Sequence, residues 1–150
     1  MKSSLLCLSI LASLLVQAQP NSAGIFENKK DIGKPKIKGD ITYQVPDQSY
    51  KLQGGGYNIW FNRDEFQYAF NKIKGDFILT ANVKLSGSGV DPHRKIGWMV
   101  RASEQDDAAH IRAVVHGDGL TGMQWRRMRG AFMRDAQGEI QGKKKGAEII

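Results

Sequence analysis

AHIRAVVHGDGLTGMQWRRM, residues 109 to 128, holds two runs of alternating character on either side of Asp118-Gly119. An Asp-Gly pair between two such runs signals a β-hairpin, because a two-residue type I′ turn needs positive φ at both central positions. With those two residues as the turn, Gly117 lies opposite Leu120, His116 opposite Thr121, Val114 opposite Met123 and Arg112 opposite Trp125. His110, Arg112, Val114, His116, Thr121, Met123, Trp125, Arg127 and Arg129 then share one face. Ile111, Ala113, Val115, Leu120 and Gly122 share the other, with Gln124, Arg126 and Met128 trailing off it. The second face is small and apolar and is expected to be core. The first is cationic, carries one indole and is expected to face outward. The assignment depends on register, since a slip of one residue exchanges the two sets.

The same period of two runs outward from this hairpin. Ile41, Tyr43 and Val45 alternate with polar residues until Pro46-Asp47. Tyr50 to Leu52 is a second short run, ended by Gly54-Gly55-Gly56, and Ile59 to Phe61 a third, followed by Asn62-Arg63-Asp64 as a turn. Phe66, Tyr68 and Phe70 alternate again. GDFILTANVKL, residues 75 to 85, is the longest regular run, with Phe77, Leu79, Ala81, Val83 and Leu85 on one side. In IGWMVRA, residues 96 to 102, Trp98, Val100 and Ala102 are expected to point inward and Gly97, Met99 and Arg101 outward. Gly97 leaves its strand open to a close approach or to a bulge. Gln19 to Gly39 is loop with at most short strands. Short strands with Gly and Pro punctuation, and no helical stripe, predict an all-β antiparallel sandwich.

The first eighteen residues are of a different kind. Met1-Lys2 is a basic start, Leu5 to Val16 an apolar run, and Val16-Gln17-Ala18 has the small-x-small form of a cleavage site. This is the pattern of a secretory signal peptide over 1–18, and its apolar run is short for a bilayer span. The expectation is an exported protein, periplasmic or extracellular. The lone cysteine, Cys7, falls inside the leader, so the exported domain must rest on its packed core without disulfides. The net charge of +7 drops by one with Lys2 and favours acidic partners without naming one.

The residues then narrow the chemistry. His93, His110 and His116 have no carboxylate at a spacing that forces contact. Asp64-Glu65 and Asp106-Asp107 are adjacent pairs, and neighbours in a strand point to opposite sides. Neither pair is an acid/base couple of the glycosidase kind, which needs carboxyls facing each other about 5–9 Å apart. Catalysis is therefore not expected, and no cofactor or metal is expected either. Asp91, Asp106, Asp107 and Asp118 suit turns, and their spacing is not that of an EF-hand loop. Arg126, Arg127, Arg129 and Lys143 to Lys145 lack the aromatic interleaving of an RNA-binding sheet, so nucleic acid is not expected. A sugar face remains. Trp125 beside Arg112, with Arg101, Arg127, His116 and Gln124 near, combines a planar aromatic with polar groups suited to an acidic glycan. The competing reading is a cross-strand cation–π pair of Arg112 on Trp125, worth about 0.5–1 kcal/mol when exposed.

GYNIWFNRDEFQYAFNKIKGDFILTANV (56–83), DPHRKIGWMVRAS (91–103) and HGDGLTGMQWR (116–126) together resemble a laminin-G-like, concanavalin-A-like jelly-roll domain of exported bacterial proteins. Domains of that group often precede a TolB-like six-bladed propeller, and the proteins are sometimes labelled biopolymer transporters. The resemblance runs from about Gly24 to about Asp135. It implies two curved antiparallel sheets, binding on the concave one, and recognition rather than catalysis. On this chain the matching concave positions are Arg101, Arg112, His116 and Trp125, with Arg127 beside them. The chain departs from the pattern after Met133, where alternation fades into QGKKKGAEII. The expectation is a jelly roll over 19–135 lacking closing strands, followed by a basic tail over 136–150: either Arg134 to Ile150 supplies a makeshift ending, or a partner supplies the missing strands, or the chain is a truncated product. The expected function is a non-catalytic module recognising a glycan or envelope polymer through a concave sheet face. The alternative is an interaction or structural module docking on a propeller or other envelope protein.

Overall fold

The computed structural model describes residues 23–87, 91–135, 140–141 and 148–149. The leader read over 1–18 and most of the tail read over 136–150 lie outside the described residues. All regular elements described are strands: β1 (Asn28–Ile32), β2 (Asp40–Gln44), β3 (Ser49–Gln53), β4 (Ile59–Trp60), β5 (Arg63–Asp64), β6 (Phe66–Phe70), β7 (Ala81–Asn82), β8 (Lys95–Arg101), β9 (His110–His116), β10 (Leu120–Arg126), β11 (Arg134–Asp135), β12 (Ile140–Gln141) and β13 (Glu148–Ile149). The expectation of an all-β chain holds. The strands form small antiparallel sheets. The largest has the order β11-β10-β9-β8, with β12 also on β10. Two-stranded ladders join β1 to β6, β2 to β3, β4 to β5 and β7 to β13.

Alternation placed most strands well. β2, β3, β6, β8, β9 and β10 coincide with their period-two runs to within a residue or two. The exception is 75–85, which forms ladder only at Ala81–Asn82. Its periodicity survives without the hydrogen bonds: Leu79, Ala81, Val83 and Leu85 are half-buried while Thr80, Asn82 and Lys84 are exposed. Alternation gives a strand its inner side, but a strand also needs a partner edge, and among the described residues only Glu148–Ile149 supplies one. The turn expected at 62–64 is also displaced. Arg63 and Asp64 are strand, paired with Trp60 and Ile59, so Phe61 and Asn62 make the bend. Phe61 there takes φ 45°, in the left-handed region that side chains other than glycine seldom adopt. Backbone bonds to its carbonyl from Met133 N (3.0 Å) and side-chain bonds from Arg126 hold the bend in place.

The central hairpin overturns one expectation. Thr121 pairs with Val115, Gly122 with Val114, Gln124 with Arg112 and Trp125 with Ile111. The connection therefore has three residues, Gly117 to Gly119, rather than two. His116 O accepts from Gly119 N at 3.0 Å, and Gly119 takes φ 96°. This is the three-residue solution, a turn closed by one residue of positive φ, and only the second glycine needs that conformation. Leu120 N also donates to the Asp118 carboxylate at 3.0 Å, which fixes the exit. One added loop residue slips the register by one, and every side chain of β10 changes its partners on β9.

Candidate functional site

The slip redistributes the predicted site. On one face of the sheet lie Lys95, Gly97, Met99 and Arg101 of β8, His110, Arg112, Val114 and His116 of β9, and Gly122, Gln124 and Arg126 of β10. On the other lie Ile96, Trp98 and Val100, Ile111, Ala113 and Val115, and Thr121, Met123 and Trp125. Arg101, Arg112 and His116 thus share a face, with Arg101 and His116 at opposite ends of it, but Trp125 is on the opposite face. Arg127 follows β10 and is exposed. The expected pairing of Trp125 with Arg112 is corrected: Trp125 faces Ile111, and Arg112 faces Gln124.

The inward and outward faces are exchanged as well. The polar face is the buried one. Arg112 and Arg126 are each 1 % exposed and rank with Ile32, Ile41 and Asp64 as the largest fully buried side chains. Val100, Ile111 and Met123, on the apolar face, are 41 %, 45 % and 51 % exposed. In IGWMVRA the expected order is likewise reversed, with Met99 and Arg101 on the buried face and Val100 exposed. Gly97 serves a close approach by the chain itself: a Cβ there would sit 2.0 Å from Ala113 O.

Burying arginines is costly unless each charge finds a partner. Asp64 of β5 supplies it. Arg126 grips this carboxylate with both terminal nitrogens, Nη1 to Oδ2 and Nη2 to Oδ1, each at 2.7 Å. Its Nε donates to Ala131 O at 2.9 Å, and Nη1 also reaches Ala108 O at 3.2 Å. Arg101 Nη1 donates to Asp64 Oδ2 at 3.3 Å, its Nε to Ser103 O at 2.8 Å, and its guanidinium stacks over Phe66 at 5.3 Å. His110 Nδ1 lies 3.2 Å from Ala108 O and 3.5 Å from Asp64 Oδ2. Burial depresses the His110 pKa to about 4, against the pull of Asp64, so the ring is neutral near pH 7. With Nδ1 placed as donor to Ala108 O, His110 Nε2 is a buried acceptor with no partner among the described residues.

Arg112 is the exception in this cluster. Nε and Nη2 both donate to Gln124 Oε1, at 3.1 and 2.6 Å, while Nη1 has no partner among the described residues. Burial lowers its pKa to about 10, with Asp64 opposing and Arg126 adding to the shift. Lys95, on the same face, is lowered to about 8 by burial and donates to Asn58 Oδ1 at 2.9 Å. Burial also lowers the pKa of His116, whose Nδ1 lies 3.0 Å from Leu120 O. The face therefore carries four cations, of which Arg101 and Arg126 share the Asp64 carboxylate while Arg112 bonds Gln124 and Lys95 bonds Asn58.

The opposite face carries an open apolar groove of about 210 Å³, lined chiefly by Phe77, Leu79, Trp98, Val100, Ile111 and Met123. Phe26 approaches Trp98 from the side of β1, with ring centroids 6.3 Å apart. Trp98 Nε1 and Thr121 Oγ1 are buried atoms with no partner among the described residues.

Reasoning from sequence missed Asp64, His110, Gln124 and Arg126 as a unit. One signal pointed to them: Gly117-Asp118-Gly119 fits a three-residue loop as readily as a two-residue one, and that loop puts Arg112, Gln124 and Arg126 on one side. Among the described residues no group of three or more His, Cys, Asp or Glu side chains is arranged to hold a metal ion. No described helix is long and apolar enough to cross a membrane. No family model matches the chain, and no curated protein or solved structure matches it.

Proposed function

We propose that this chain is a non-catalytic, exported interaction module, a jelly-roll-like sandwich whose β8–β10 sheet docks by its apolar face on an apolar surface of a protein partner. An envelope protein such as a TolB-like propeller is the partner class that fits the resemblance. The observation that carries this reading is the inverted sheet: Phe77, Val100, Ile111 and Met123 are between 41 % and 51 % exposed around one groove. Adjacent exposed apolar side chains on a single sheet face mark a contact surface more often than scattered ones do. The β7–β13 ladder lies near β9, consistent with a small second sandwich layer that leaves the groove open. The Asp64 carboxylate is held by two arginines, which supports a structural role for it over an acid/base one.

The test places a photo-cross-linking residue at Met123 and, as a control, at Arg127 in the full chain expressed with its secretion route intact. A discrete protein adduct from position 123, lost with Val100→Ser and Ile111→Ser while circular dichroism is unchanged, is the expected result. Equal adducts from both positions would remove the apolar face from the account.

A second reading rests on a different observation. On the buried polar face Arg101 and Arg126 hold the Asp64 carboxylate, and Arg112 Nη1 and His110 Nε2 have no partner among the described residues. An acidic glycan or envelope polymer would have to open that face to reach them, its carboxylate then accepting from Nη1 and its hydroxyl donating to Nε2. Calorimetric titration against uronate-containing glycans separates the two readings. Binding lost in Arg112→Met and kept in Met123→Ser selects the glycan.

A further inference from the structure

The segment joining β1 to β2 reads GKPKIKG over residues 33–39. Residues 29–40 contain five lysines against two aspartates. Both Asp31 carboxylate oxygens accept from Gly39 N at 3.1 Å, and Asp40 forms its ion pair with Lys29 at 3.1 Å, with Lys38 acting on it only at longer range. Glu104, across a polar cleft shared with Lys34, is paired with Lys30 at 2.9 Å. Lys34, Lys36 and Lys38 are exposed and meet no carboxylate within 4.0 Å among the described residues. Between two of them stands Ile37, 70 % exposed.

The loop is held in shape. Asp31 clasps its far end through Gly39. Gly33 takes φ 73° at its near end, where a Cβ would fall 2.4 Å from Asp64 O. On its flank, a Cβ at Gly55 would fall 2.7 Å from Ile37 Cβ, so the backbone of the triple-glycine stretch presses against the loop. A loop fixed at both ends and along one side presents its lysines without a large ordering cost on binding.

We infer that the 33–39 loop is a docking element for an anionic phospholipid surface, with Lys34, Lys36 and Lys38 held against headgroup phosphates and Ile37 entering the boundary with the acyl chains. The lysines alone would suit any polyanion. Ile37 selects the bilayer, because a hydrated polysaccharide offers no apolar phase for an exposed isoleucine, whereas the headgroup boundary does. The loop is separate from the β8–β10 sheet, so this inference stands independently of which sheet face is used.

The experiment measures partition of the full chain onto vesicles of phosphatidylcholine alone and of phosphatidylcholine with about 30 % phosphatidylglycerol, which supplies the negative surface potential. The ratio of the two cancels what the apolar run at Leu5 to Val16 contributes. Each lysine at an anionic surface is worth about fivefold in partition, so K34Q/K36Q/K38Q is expected to lower the ratio by about 100-fold. Raising salt to about 0.5 M should have a similar effect on the parent chain, by screening. Ile37→Ser is expected to cost about fivefold on anionic vesicles at any salt. An unchanged ratio in the triple variant overturns the inference. So does soluble polygalacturonate that displaces the chain from vesicles while Ile37→Ser is without effect, which would assign the loop to a polymer.

Discussion

The two faces of the β8–β10 sheet invert the usual order. One face carries Lys95, Arg101, Arg112 and Arg126 and is buried; the other carries Val100, Ile111, Met123 and Trp125 and is in part open. The polar face is tolerable inside only because Asp64 arrives from β5, far away in the chain, and neutralises part of the charge in bidentate geometry. The apolar face has no such closing element of matching size among the described residues. The lesson is that hydrophobicity does not by itself say which side of a strand is covered. Coverage follows the neighbouring layer, and a buried charge cluster records that a specific counter-charge was supplied.

Three perturbations test that contrast. The largest effect is expected from Asp64→Asn, which keeps the shape and removes the carboxylate from between Arg101 and Arg126. Leaving buried charges without their partner typically costs about 3–5 kcal/mol, read as a drop in the urea midpoint. A loss under about 1 kcal/mol would mean that the arginines are hydrated in solution and the face is not sealed.

Acidification comes next. His110 has its folded pKa depressed to about 4 from an ordinary 6.5, so between those values the unfolded chain binds the extra proton. Stability is then greatest above pH 6.5 and falls as pH drops towards 4, by on the order of 3 kcal/mol from this ring. His110→Gln should flatten that slope in urea titrations across the window, and an unaltered slope would place the proton elsewhere.

The smallest stability effect is expected on the apolar face. Met123→Ser changes an exposed side chain and should move stability by less than about 0.5 kcal/mol, in contrast to Asp64→Asn. A loss of several kcal/mol instead would mean that this face is covered in solution.

The strands themselves were readable from period two and from the Gly and Pro stops, and β6 at Phe66–Phe70 matched its run to the residue. The site was not. Ile111 and Arg112 alternate with equal regularity whichever of them is inside, so the pattern gives two sets and leaves their destination open. The one-residue difference between a turn at 118–119 and a loop over 117–119 separated Arg112 from Trp125 and joined it to Gln124. Asp64 appeared in the sequence as half of an adjacent acidic pair beside a turn, with nothing local to link it to Arg126.

Local chemistry was enough for the all-β class and for the hairpin near Gly119, because each depends on residues close in the chain. Which sheet face is sealed, and which guanidiniums share the Asp64 carboxylate, depends on segments separated by tens of residues. Such pairings are set by packing, where a buried charge must find its opposite wherever the fold brings one.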